Sequence, residues 1–197
     1  MMGSMPEAFA PWSQERYLAA MRFAAEAHGA QRFSGTELPY LLHVALVTME
    51  VVAALRVEPD HDQDLAVQCA LLHDVVEDTP VGLERVREVF GPAVAAGVSA
   101  LSKDDRLPKD AQLPDSLDRI LAQPPEVAMV KLADRITNLQ QPPGHWTRAK
   151  IEEYARQAAL IHRRLGAASP TLAARLAAKI EAYPGFTPDL RPSGGGS

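Results

Sequence analysis

The stretch Cys69-Ala70-Leu71-Leu72-His73-Asp74-Val75-Val76-Glu77-Asp78-Thr79 decides the reading of this chain. It closes an apolar run without strand-like alternation, and the periodicity predicts a helix from about Gln63 to Asp78. On such a helix His73 and Glu77 lie one turn apart, as do Asp74 and Asp78, giving two polar rows embedded between Leu71-Leu72 and Val75-Val76. Grouping three carboxylates among apolar residues is costly unless a cation offsets their repulsion, and the adjacent histidine offers a nitrogen ligand for one. A divalent metal is the economical explanation. The same segment also fits an exposed helix end with solvated acids beside a core histidine, and one His-Asp pair does not separate the two.

Outward from this segment the helical period continues. Further helices are expected at about 13–28, from Leu41 through Ala53, at 82–90, 93–101, 113–122, 126–139, 147–165 and 171–182. Pro124-Pro125, Pro142-Pro143-Gly144 and Ser169-Pro170 punctuate the later ones. No period-2 alternation bounded by turn residues occurs, so the fold class is all-α, a compact multi-helix bundle, and nucleotide folds built on a parallel sheet are disfavoured. With 197 residues, 47% of them apolar, the chain suits one domain. That domain is expected over 13–183, with flexible segments at 1–12 and 184–197, and the charged, proline-containing stretch Ser102 to Leu113 reads as a loop over one face. Met1 to Ser4 and Ser193 to Ser197 have the look of cloning or linker remnants.

Composition narrows the function. Twenty basic against 25 acidic residues leave a net charge of −5, which argues against nucleic acid as a partner. The single cysteine, Cys69, cannot form an intramolecular disulfide and reads as a buried thiol. No apolar run is long enough to span a bilayer and the N-terminus lacks the layout of a secretion signal, so a cytoplasmic location without membrane association is expected. The oligomeric state is not legible from the sequence.

Two other segments supply polar residues of the same kind. Pro39-Tyr40-Leu41-Leu42-His43 places a histidine early in an apolar helix, and Val130-Lys131-Leu132-Ala133-Asp134-Arg135 places an aspartate in another. Singly, His43 reads as a core histidine and Asp134 as a partner in surface charge pairing. With His73 and Asp74 they make two imidazoles and two carboxylates.

The order H…HD…D, with gaps of 30 and 60 residues, resembles the HD-domain metal-dependent phosphohydrolases. More narrowly, the chain is similar to the hydrolase domain of the RelA/SpoT homologues in its stand-alone form, the small alarmone hydrolases. The matching text is Ala27-His28, Gln31-Arg32, Pro39-Tyr40 and His43, then Ala70 to Asp74 with Glu77-Asp78-Thr79, Phe90-Gly91, Leu101-Ser102-Lys103, Val130 to Arg135 and Asn138-Leu139. The resemblance implies an HD-domain bundle with a manganese ion held by His43, His73, Asp74 and Asp134, and with Glu77 and Asp78 handling the attacking water. Fe²⁺, Co²⁺ and Zn²⁺ also suit such a mixed imidazole and carboxylate set. It further implies a 3′-pyrophosphohydrolase acting on the alarmone (p)ppGpp of the stringent response. The products would be GDP or GTP and pyrophosphate. Substrate contacts fall to Arg32, Lys131, Asn138, Lys150 and Tyr154, with Trp146, Lys150 and Tyr154 spaced by four along one face.

Two departures matter. The family's basic pair leading into Gly-x-Pro-Tyr is replaced by Arg32-Phe33-Ser34-Gly35-Thr36-Glu37-Leu38-Pro39-Tyr40, and the proline after the first metal histidine is Val44. The altered loop keeps open a substrate other than (p)ppGpp, either (p)ppApp or the 2′-phosphate of NADPH. A non-catalytic nucleotide-binding protein on the same fold is the remaining alternative.

Overall fold

The computed structural model describes residues 11–33 and 35–183. Its helices are α1 (Gln14–His28), α2 (Leu41–Leu55), α3 (Gln63–Leu72), α4 (Val75–Asp78), α5 (Leu83–Phe90), α6 (Pro92–Leu101), α7 (Lys109–Leu121), α8 (Pro125–Asn138), α9 (Arg148–Leu165) and α10 (Pro170–Ala182), with a 3₁₀ turn at Gly166–Ala168. Among the described residues the only extended pairing is an isolated bridge between Arg32 and Pro39, so the molecule is all-α as expected. No helix of the described residues is long and apolar enough to cross a membrane.

Local chemistry sets most helix starts. Ser13, Asp62, Thr147 and Ser169 cap α1, α3, α9 and α10 by accepting the backbone N–H of Arg16, Leu65, Lys150 and Leu172. Gly91, at φ +88°, turns the chain between α5 and α6, and Pro92 then fills the first helical position of α6. Trp12 packs on Tyr17 with ring centroids 5.5 Å apart. Of the segments expected to be flexible, 1–10 and 184–197 lie outside the described residues.

Helices α3 and α8 form the middle of the bundle. Eight of the ten α3 residues are buried, and α3 packs against α1, α2, α6 and α8. Helix α8 is buried at eleven of fourteen positions, between α2, α3, α6, α7, α9 and α10. A helix buried on most sides leaves its polar residues little access to bulk water and favours partners inside the protein.

Two sequence expectations need correction. The helix anticipated from Gln63 to Asp78 is interrupted: α3 ends at Leu72, and Asp74 sits at φ −104°, ψ −1°, before α4 begins. Its side chains therefore do not stack as two rows. The stretch read as a loop to Leu113 is helical from Lys109. Pro114 denies a hydrogen bond only to the carbonyl of exposed Asp110 one turn back, where water can replace it.

Candidate metal centre and nucleotide wall

His43, on the first turn of α2, is 1% exposed, and His73, just past α3, is 3% exposed. Their Nε2 atoms face each other at 3.2 Å. Asp74 Oδ2 lies 2.9 Å from His73 Nε2 and 3.5 Å from His43 Nε2, while Asp134 Oδ1 from α8 lies 3.5 Å from His43 Nε2. Ligand atoms of His43, His73 and Asp134 all fall within 4.8 Å of one another. The structure thus brings together all four side chains expected to hold a metal, drawn from α2, the α3–α4 junction and α8.

The donors are pre-oriented. His73 Nδ1 lies 2.8 Å from the carbonyl of Ala70, which can only accept, so Nδ1 carries a proton and Nε2 turns inward. The His43 ring is fixed by Phe33, stacked at 5.5 Å and 10°, and by Tyr40 at 5.3 Å. Thr137 Oγ1 stands 3.5 Å from its Nδ1. Two imidazoles and two carboxylates packed this closely need positive charge among them, supplied by protons on the imidazoles or by a metal ion in their place. Their nitrogen and oxygen chemistry fits a divalent transition metal.

Protonation follows the same logic. Burial disfavours a charged His43, yet hydrogen bonds to Asp134 and Asp74 outweigh it and push its pKa up to about 9. His73 is likewise raised, burial being overcome by the charge of Asp74. Burial opposes ionisation of Asp74 and Asp134 too, but the imidazoles and, for Asp134, Lys131 hold both carboxyls well below the usual range. The pocket demands cations.

The residues around the four donors occupy defined places. Lys131 Nζ donates to Asp134 Oδ2 at 3.0 Å and Asn138 Nδ2 donates to Asp134 Oδ1 at 2.5 Å. Both are expected on substrate; in this structure both donate to the carboxylate of Asp134. Glu77 receives the backbone N–H of Lys103 at 2.9 Å and its ammonium at 2.5 Å. Asp78, on the exposed rim, accepts from Gln31 Nε2 at 3.3 Å. Glu77 and Asp78 therefore belong to two different contacts.

Lys150, Trp146 and Tyr154 do share a face. The Lys150 ammonium sits 4.4 Å from the Trp146 ring centroid, and Trp146 meets Tyr154 edge-on at 5.2 Å. Trp146 precedes the helix, which starts at Arg148 after the Thr147 cap. Beneath Tyr154 lies the buried Arg135 guanidinium, 4.1 Å from the ring centroid. Arg32 is exposed, its backbone paired with Pro39.

Sequence reasoning left Tyr40, Gln31 and Lys103 without these contacts. Tyr40 packs beside His43, its hydroxyl donates to Asp74 Oδ2 at 2.5 Å, and burial together with that carboxylate raises its pKa. Gln31 Oε1 sits 2.8 Å from His28 Nδ1, so His28 and Gln31 form a short relay ending on Asp78. Tyr40 and Gln31 both occur in the matched text, and that was the available signal.

An all-helical bundle that gathers two imidazoles and two aspartates at these sequence intervals is the architecture of an HD-domain protein. The chain belongs to the HD domain family, whose sequence profile matches residues 20–172. It is 33% identical over 142 residues to the guanosine-3′,5′-bis(diphosphate) 3′-pyrophosphohydrolase MESH1 of Danio rerio, covering 70% of this chain and 77% of that protein. A guanosine-3′,5′-bis(diphosphate) 3′-pyrophosphohydrolase of Haemophilus influenzae is 40% identical over 123 residues, covering 59% of this chain and 17% of that longer protein. Among solved structures, a metazoan ortholog of SpoT described as hydrolysing ppGpp superposes with a TM-score of 0.74 at 28% identity, covering 87% of this chain and 97% of that one.

Proposed function

We propose that this protein is a divalent-metal-dependent pyrophosphohydrolase that removes the 3′-pyrophosphate of (p)ppGpp, giving GDP or GTP and pyrophosphate, and that it works in the cytoplasm with Mn²⁺. The observation that carries this reading is the convergence of His43, His73, Asp74 and Asp134, in a chain aligned over most of the length of MESH1 proteins bearing that activity.

When bound, a divalent ion supplies Lewis acidity, lowering the pKa of water and polarising a phosphoryl oxygen. The chain does the rest. His43 and His73 would give up the protons that the carboxylates favour and hold the ion through Nε2, while Asp74 and Asp134 would supply the negative charge that balances it. Glu77 accepts a proton from the attacking water as its oxygen bonds to the phosphorus attached at the ribose 3′ oxygen. The bond from that phosphorus to the 3′ oxygen breaks, and the oxygen leaves as a hydroxyl after taking up a proton. Asp78, held by Gln31, is placed at the rim as the second acid. Phosphoryl transfer depends chiefly on positioning and charge neutralisation, so fixing these groups before substrate arrives is the main contribution of the fold.

Lys150, with Trp146 and Tyr154, offers a cationic and aromatic surface for the nucleotide, and exposed Arg32 offers a further charge. Lys131 and Asn138 act through Asp134. The decisive experiment incubates the purified protein with Mn²⁺ and, in parallel, guanosine tetraphosphate, its adenosine counterpart and NADPH. Release of pyrophosphate from the guanosine substrate at the highest kcat/KM supports the proposal. Preference for the adenosine alarmone, or phosphate release from NADPH, moves the assignment to that substrate. Binding without turnover of any would make the protein a sensor.

A further inference from the structure

We propose that Lys103 is a shared cation: in the substrate-free protein its ammonium holds Glu77, and on binding it transfers to a phosphoryl oxygen of the polyphosphate, freeing Glu77 to take the proton of the attacking water. This rests on the hydrolase reading above and names the residue that couples substrate binding to the availability of the base.

The geometry divides Lys103 into a fixed half and a movable half. Its backbone N–H donates to Glu77 Oε2 at 2.9 Å and its ammonium to Oε1 at 2.5 Å, so one residue occupies both oxygens of the carboxylate. With both oxygens occupied by donors of one residue, the carboxylate has no oxygen free of a partner to receive an incoming water. The backbone at this point is anchored. Ser102 ends α6 with its hydroxyl on the Val98 carbonyl at 2.9 Å, and Arg119 grips the Ser102 carbonyl at 2.8 Å and the Ser99 carbonyl. The side chain is not: that of Lys103 is 48% exposed, whereas that of Glu77 is 19% exposed. Moving the ammonium alone releases Oε1 while the N–H keeps Oε2, and hence the carboxylate, in place.

A lysine suits such a transfer because it is a compact charge on a flexible stem, whereas an arginine would lock the carboxylate through a planar two-pronged contact. A polyphosphate competes effectively for the ammonium because it offers several anionic oxygens where Glu77 offers one charge. The ammonium, held first by Glu77, also feels the more distant charges of Asp74 and Asp134.

The test compares Lys103→Met and Lys103→Arg, assayed with Mn²⁺ and guanosine tetraphosphate, after thermal melts show that both fold. Lys103→Met is expected to raise KM about tenfold, the loss of one charge-assisted contact, with kcat changed less than about threefold because Glu77 is permanently free. Lys103→Arg is expected to do the reverse, holding KM but lowering kcat about tenfold as the fork retains Glu77. As a binding measurement independent of turnover, Glu77→Gln titrated calorimetrically with guanosine tetraphosphate should lose about tenfold in affinity when Lys103→Met is added. An unchanged KM in Lys103→Met, or an equal fall in kcat in both variants, overturns the proposal and makes Lys103 a structural residue. If instead the wild-type protein neither binds nor hydrolyses guanosine tetraphosphate, the hydrolase reading itself has failed.

Discussion

The two halves of the pocket are built in opposite ways. On the metal side His43, His73 and Asp134 are 1%, 3% and 8% exposed, and each sits on or beside a helix packed against the other two. Around the proposed nucleotide contacts Arg32 and Lys150 are exposed, and Arg32 and Trp146 lie outside the helices. A buried charge is tolerated only where every neighbour satisfies it, so the inner half must be complete before any ligand arrives. The outer half can wait for substrate, because water satisfies its charges meanwhile. Variants of the inner half should therefore affect metal retention and the chemical step, and variants of the outer half mainly KM.

The largest effect belongs to Asp134→Ala. It removes the carboxylate that meets His43 and leaves Lys131 and Asn138 without their acceptor. Activity should fall roughly a thousandfold or more, as for loss of the Lewis acid itself. Metal analysis of the purified variant should find none. In the wild type, Mn²⁺ at a hundred times its Kd should raise the melting temperature by about 5–10 °C, a rise that chelation reverses and that Asp134→Ala abolishes. Full metal content in the variant would show that the inner half does not act as one unit.

Glu77→Gln comes next and separates the halves more finely. Glu77 is tied to Lys103 and is not part of the close group formed by His43, His73 and Asp134. The variant should keep its metal and its Mn²⁺-dependent thermal shift, while kcat falls about a hundredfold or more for loss of a general base. Loss of metal in this variant would place Glu77 among the ligands.

How far the sequence foretold all this follows the same division. Helix periodicity marks the bundle well, because each helix buries an apolar face and the caps at Ser13, Asp62, Thr147 and Ser169 are local. The break at His73-Asp74 was not legible, since the apolar residues on both sides, Leu71-Leu72 and Val75-Val76, continue the pattern. Long-range contacts were equally invisible. Tyr40 reaches Asp74 across 34 positions and Gln31 reaches Asp78 across 47, distances at which no spacing rule operates. For Lys131 and Asn138 the helical spacing to Asp134 was plain, but the sequence could not show that both side chains would turn toward it.

Tyr40→Phe tests one of those unforeseen contacts and should have a smaller effect. It keeps the ring beside His43 and deletes only the hydroxyl that donates to Asp74. Groups that orient a metal ligand are worth about 10 to 100-fold in metal affinity. Activity at limiting Mn²⁺ should drop by that factor and return to near wild type at saturating Mn²⁺. A defect that excess metal does not repair would mean that the hydroxyl acts on substrate, and Tyr40 would then belong to the outer half.

The smallest effect is expected from Arg32→Ala. The backbone of this loop is self-supporting: Phe33 N–H reaches the Leu38 carbonyl at 2.9 Å, and Tyr40 N–H reaches the Gln31 carbonyl at 2.9 Å. Removing the exposed side chain should leave the melting temperature and metal content unchanged. An exposed charge interacting across water is worth about 0.2–1 kcal/mol, so KM should rise no more than about fivefold, with kcat intact. The rise should shrink further as salt is added, because screening weakens exposed pairs first. It should also be equal for the guanosine and adenosine alarmones if Arg32 serves only as an exposed charge. A rise beyond tenfold, confined to the guanosine substrate, would show that binding buries this guanidinium against the base. The outer half would then be assembled by the substrate into a site as dry as the inner one.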